Sequence, residues 1–157
     1  MNAGLPRDGA IREGAYLYPV RVYYEDTDAG GMVYHANYLK FAERARTEML
    51  RRLGIEQDRL RADSGFVFVV RRCTIDFALP ARLDDDLVIV TRLASIGGAS
   101  LDLDQEVRRD GVILVRLALQ VACIGRSGRP HRLPQEIRAA FASLNDTTTR
   151  MVTTHAR

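Results

Sequence analysis

The stretch YYEDTDAGGMVYHANY, Tyr23 to Tyr38, gathers two aspartates, a pair of adjacent glycines and a histidine into one short connection. Asp26 and Asp28 are carboxylates ionised near neutral pH, able to attack an electrophile or to take a proton from water. Two residues apart, they face the same way if the chain stays extended and diverge if it turns. Aspartate at a strand end is ordinarily a turn former, accepting nearby backbone N–H groups. That reading covers one aspartate well and two less comfortably. Gly30–Gly31 permits positive φ or a close backbone approach by a ligand. Met32–Asn37 then leads into a helix, whose first turn offers unpaired N–H groups and the positive end of the dipole. Such donors suit a developing oxyanion beside an attacking or water-activating carboxylate. His35 alone reads as a cap or packing residue more readily than as a catalyst.

Other chemistries find no footing. The remaining histidines, His131 and His155, make no zinc-like ligand set with it. There is no G-x-S-x-G elbow, no phosphate loop and no G-x-G-x-x-G, so neither a metal nor a cofactor is expected. A carboxylate is the candidate that remains.

The elements that must position this corner follow from periodicity. Tyr16–Tyr24 alternates as a strand, with Tyr18, Val20, Val22 and Tyr24 on one face. From Tyr38 the period turns helical: Tyr38, Phe41, Ala42, Ala45, Met49 and Leu53 form one stripe, with Asn37 as N-cap and Gly54 as stop. Ile55–Ala62 adds a short helical turn. Strands follow at Phe66–Leu79, Leu87–Ile96, Leu101–Arg108 and Val112–Ile124, the last two joined by an Asp110–Gly111 hairpin turn. Consecutive strands joined by short turns should pair antiparallel, and Pro134–Leu144 reads as a final helix. The expectation is one α+β domain over residues 16–144, an antiparallel sheet of about five strands wrapped around one long helix. Residues 1–15 and 145–157 read as a flexible arm and tail.

Composition narrows the function classes. The chain has 157 residues, 46% of them hydrophobic, enough for one well-filled core. The net charge of +3 comes from scattered basic residues interleaved with 20 acids, which argues against a nucleic-acid stripe. No apolar run reaches the ~20 residues of a membrane span, and no secretory signal opens the chain. Cys73 and Cys123 read as buried thiols, which fits a cytoplasmic setting.

The segment YYEDTDAGGMVYHANYLKFAERARTEML, Tyr23–Leu50, resembles the acyl-CoA thioesterases associated with the Tol–Pal system, in the 4-hydroxybenzoyl-CoA thioesterase branch of the hot-dog superfamily. The resemblance continues through FVVRRCTIDFALPARLDD, Phe68–Asp85. It implies a hot-dog fold, edge-to-edge homodimers that often pair into homotetramers, and active sites at the dimer interface. It also implies that Asp28 is the catalytic carboxylate and that the backbone amide near His35 polarises the thioester carbonyl. Tyr34 and Gly31 flank the substrate; Asp26 is a turn or supporting residue. The basic cluster that grips coenzyme A phosphates in the 4-hydroxybenzoyl enzymes has no counterpart at Gly97–Gly98–Ala99, before Ser100. Either Arg71, Arg72 or Arg126 serves instead, or the nucleotide is held weakly and exposed to solvent. The function expected is hydrolysis of short-to-medium acyl-CoA. The alternative is a non-catalytic module that binds an acyl group or an acyl carrier protein in envelope or phospholipid metabolism. A hydroxyacyl dehydratase would need a histidine in an H-F-P-like context, which the chain lacks.

Overall fold

The computed structural model describes residues 4–154, with side chains to 145. Of the expected flexible arm (1–15) and tail (145–157), residues 1–3 and 155–157 lie outside the described residues. Helix α1 (Asn37–Arg52) buries Tyr38, Phe41, Ala42, Ala45, Met49 and Leu50, so the apolar stripe faces the sheet as its spacing requires. The helix stops in a Schellman motif. Gly54 takes φ +81°, its N–H donates to Arg51 O at 3.0 Å, and Ile55 N–H donates to Leu50 O at 2.8 Å. The expected cap is not at Asn37. Ala36 occupies the N-cap position without a side-chain cap, and Asn37 is the first helical residue. The Asn37 amide serves the preceding loop instead.

Six strands build the antiparallel sheet: β1 (Ala10–Arg12), β2 (Ala15–Arg21), β3 (Val67–Phe77), β4 (Asp86–Ile96), β5 (Ser100–Arg109) and β6 (Val112–Ile124), in the order β1-β2-β4-β5-β6-β3. The sixth strand comes from the segment read as an arm: Ala10–Arg12 folds back on Ala15–Leu17. A short helix α2 (Gln57–Asp63) precedes β3, and α3 (Gln135–Thr154) continues well past Leu144 into the expected tail. The turn at Asp110–Gly111 carries positive φ at both residues, as a tight hairpin needs.

One pairing differs from expectation. β3 and β4 are consecutive but not adjacent, because residues 78–85 cross the sheet's end to reach the far side of β5. Side-chain and backbone bonds fix that crossing to α1: Ala81 N–H donates to the Tyr38 hydroxyl at 2.9 Å, and Ala81 O accepts Val33 N–H at 2.9 Å. Burial pushes the Tyr38 phenol pKa up, while the Ala81 bond pulls the other way. β3 thereby becomes an edge strand bonded only to β6. Most of its residues are exposed, and so is Cys73, which was expected to be buried; Cys123 on β6 is buried as expected. Tyr24 likewise lies outside β2, in an exposed 3-10 turn.

A polar hub sits inside this apolar interface. Gln105, in the core-facing row with Leu101, Leu103 and Val107, is 1% exposed. Its Nε2 donates to Ala42 O of α1 at 3.0 Å and to Thr91 Oγ1 of β4 at 2.9 Å, while its Oε1 accepts Arg46 Nη1 at 2.9 Å. The amide therefore ties α1 to the two central strands, with its carbonyl and amino group both satisfied. Burial lowers the Arg46 pKa, and nearby Glu43 opposes that shift only in part. Gln105→Leu keeps the volume but strands Arg46 and Thr91, so it should lower unfolding free energy by about 2–3 kcal/mol in urea titrations. A loss below about 0.5 kcal/mol would mean the hub is solvated and dispensable.

Candidate active site

β2 ends at Arg21, and the chain enters a 3-10 turn at Tyr24–Asp26. Asp26 is 8% exposed; its Oδ2 accepts Tyr23 N–H at 2.8 Å, capping that turn. Its carbonyl accepts both Tyr34 N–H at 3.0 Å and Asn37 Nδ2 at 2.8 Å. Asp26 is thus consumed by structure: it locks the entry of the loop to the start of α1. Thr27 then bridges to Val33, and Asp28 N–H donates to Met32 O at 2.9 Å, so residues 26–34 form a small hairpin.

The tip of that hairpin holds Asp28. Its carbonyl accepts Gly31 N–H at 3.0 Å and its Oδ1 accepts Gly30 N–H at 2.9 Å. Gly31 turns the chain with φ +75°, a conformation that a side chain would strain even though the space beside it is open. Unlike Asp26, Asp28 is exposed, and its second carboxylate oxygen meets no donor among the described residues. The two aspartates therefore diverge, one into the fold and one toward solvent.

The hairpin returns to the start of α1, where two amides stay free. Tyr34 N–H is spent on Asp26 O and Asn37 N–H on Tyr34 O at 2.8 Å, yet no acceptor among the described residues meets the amide of His35 or Ala36. An unpaired N–H at the positive end of a sixteen-residue helix is a ready donor to developing negative charge. The His35 ring lies 4.5 Å from Tyr34 and 6.3 Å, edge-on, from Phe77 of β3. Phe77 in turn stands 5.8 Å from Tyr38. His35 thus stands between Tyr34 and the exposed end of β3, with Asp28 and Gly31 at the tip of the preceding hairpin.

Arg71 and Arg72 are not part of that corner in the same chain. They are exposed on β3 at a bulge between Val70 and Arg72, five or six residues before Phe77, roughly 16–20 Å away at about 3.3 Å per residue. Periodicity did not point to a further feature, a cavity of about 210 Å³ between the later turns of α1 and β3. Met49, Leu50, Phe68, Leu101 and Phe141 form its apolar floor, and Glu43, Arg46 and Val70 stand at its rim. Arg46 was the available signal, a cation one residue after Ala45 in the apolar stripe.

A family model described as the thioesterase superfamily matches residues 30–115. The chain belongs to the thioesterase superfamily. Acyl-CoA thioesterase YbgC of Haemophilus influenzae is 43% identical over 133 residues, covering 84% of this chain and 98% of that protein. Acyl-CoA thioester hydrolase YbgC of Escherichia coli O6:H1 is 47% identical over 128 residues, covering 80% and 95% respectively. A crystal structure of a probable thioesterase from Bartonella henselae superposes with TM-score 0.73 at 39% identity, covering 76% of this chain and 99% of that one. The chain is accordingly an enzyme with the hot-dog thioesterase fold, its six-stranded antiparallel sheet packed on α1. No helix among the described residues is long and apolar enough to cross a membrane.

The divergent aspartates of this thioesterase separate experimentally. Asp26→Ala removes the cap of the 3-10 turn and should cost about 1 kcal/mol of stability by denaturant titration. Asp28→Asn, exposed and able to keep the Gly30 bond through its Oδ1, should change stability by less than about 0.5 kcal/mol. Equal losses at both positions would contradict the assignment of Asp26 alone to structure.

Proposed function

We propose that the chain hydrolyses short-to-medium acyl-CoA thioesters, with Asp28 as the catalytic carboxylate and the His35 amide as the donor to the carbonyl oxygen. What supports this reading is an unspent carboxylate oxygen at the tip of a locked hairpin and an unspent amide where that hairpin enters α1. The names of the relatives, acyl-CoA thioesterase and acyl-CoA thioester hydrolase, support the substrate class.

In the proposed reaction the thioester oxygen faces the His35 amide, which takes up the charge of the tetrahedral intermediate. Either Asp28 attacks the carbonyl carbon, expelling the coenzyme A thiolate and leaving a mixed anhydride that water opens, or Asp28 takes a proton from the attacking water. Both routes end in the carboxylic acid and free thiol, and both need the carboxylate ionised. Gly31 keeps the approach open, and the exposed Tyr34 ring flanks the thioester. The His35 imidazole orients water or substrate. Arg71 and Arg72 are the proposed partners of the coenzyme A phosphates. The reading extends to a cytoplasmic homodimer or homotetramer of the Tol–Pal-associated kind, in the 4-hydroxybenzoyl-CoA branch, with acyl carrier protein as a further thioester donor.

The test is thiol release from acyl-CoAs, graded from short aliphatic to long and aromatic, by wild type and Asp28→Asn. Wild type should turn over the short-to-medium members, and the variant should lose about 10²-fold or more in kcat. A wild type that binds these thioesters without cleaving them would favour the acyl-binding module instead.

A further inference from the structure

The hairpin of residues 26–34 and the start of α1 are held from outside, by the crossing between β3 and β4. That crossing ends in a tight turn: Asp85 N–H donates to Arg82 O at 3.1 Å, with Asp84 between them at φ +69°. Backbone bonds strap the turn to the end of β2. Asp84 N–H donates to Val22 O at 3.0 Å, and Val22 N–H donates to Asp85 O at 3.0 Å. One side chain then reaches in from the last residue of β5. Arg109 Nη1 donates to Asp85 Oδ2 at 2.7 Å and to Pro80 O at 3.3 Å, so a single cation bonds both ends of the segment 80–85. The two side chains of this ion pair are 32% and 22% exposed, and solvent screens it less than a pair on the open surface.

Two routes lead from that cation to the two groups of the proposed reaction. Along the first, the Asp85 oxygen that meets Arg109 also accepts Arg82 N–H at 2.8 Å. Arg82 pairs with Met32 in an antiparallel bridge, and Met32 O accepts Asp28 N–H at 2.9 Å. Along the second, Pro80 leads into Ala81. The Ala81 N–H donates to the hydroxyl of Tyr38, in the first turn of α1, and its carbonyl accepts Val33 N–H, each at 2.9 Å. Tyr34 follows, bonded through its own amide to Asp26 O, and then the free amide of His35. One route ends on the residue that carries the carboxylate and the other at the helix start.

We propose that Arg109 is a positioning residue: by fixing Pro80 relative to Asp85, it sets Asp28 against the His35 amide without touching substrate. The effect on turnover rests on the hydrolase reading; the tether does not. A guanidinium suits this task. Its Nη1 carries two N–H groups in a rigid plane, which meet the carboxylate and the carbonyl together, whereas an ammonium is a point charge on a flexible stem. Removing the side chain leaves the fold its other supports. The backbone bonds that strap the turn to β2 remain, and so does the ladder of β5 on β6. What loosens is the spacing of two groups that must meet one thioester, and a misplacement of about 1 Å can cost about 10²-fold in rate.

Amide hydrogen exchange reads the tether without any substrate. In the full chain carrying Arg109→Gln, the amides of Asp28, Val33 and Ala81 should exchange about tenfold faster, while those of Ala45 and Met49 inside α1 keep their wild-type rates. Turnover of acyl-CoA forms the second arm: kcat should fall about tenfold with KM within about twofold of wild type. Arg109→Lys, which can reach Asp85 but not both acceptors, should recover part of each loss. Equal acceleration at all five amides would make Arg109 a general support of the fold and overturn the proposal. Unchanged rates at Asp28, Val33 and Ala81 would overturn it as well. Local acceleration with undiminished turnover would show a tether that positions nothing, and would refute the role. Local acceleration in a protein whose wild type cleaves no thioester would refute the hydrolase reading and leave the tether standing.

Discussion

The carbonyl of Asp26 is the point on which the site depends. It accepts two hydrogen bonds, one from the Tyr34 amide and one from the Asn37 side chain, and so joins the loop leaving β2 to the first turn of α1. A bond to either partner alone would let the hairpin pivot. With both made, the tip carrying Asp28 and the helix start carrying the His35 amide hold a fixed relation. The proposed hydrolysis would use this relation, because a donor set in advance does not have to reorganise as charge develops.

Two further ties keep that helix start in place. The Tyr38 hydroxyl and Val33 amide clamp Ala81, so the crossing between β3 and β4 passes against the corner. Farther along α1, Gln105 fixes the rotation of the helix against β4 and β5 through Ala42, Arg46 and Thr91. The crossing has a second consequence: it sends β4 to the other side of the sheet and leaves β3 at the edge. One connection therefore both braces the corner and leaves β3 at the sheet's edge.

Much of this was legible in the sequence. The apolar stripe of α1, the Gly54 stop and the Asp110–Gly111 turn each rest on local rules that the fold obeys. The turn at Asp28–Gly31 was legible because its residue types are unusual together. What escaped has nonlocal causes. The place of β3 at the edge depends on where residues 78–85 run, and periodicity carries no strand order. The exposure of Cys73 follows from that placement. Ala10–Arg12 is too short to read as a strand without its partner at Ala15–Leu17. Asn37 has the right type for a cap, but a carbonyl eleven residues earlier claimed its amide. Gln105 was visible as a polar residue in an apolar row, although nothing local named the groups it would satisfy.

The central claim is that Asp28 and the His35 amide act on one thioester. The most direct test is a crystal structure of Asp28→Asn with an intact acyl-CoA bound. The account predicts the thioester oxygen about 2.7–3.1 Å from the His35 nitrogen, with residue 28 facing the carbonyl carbon. A thioester held elsewhere, with the His35 amide bonded only to water, would contradict it.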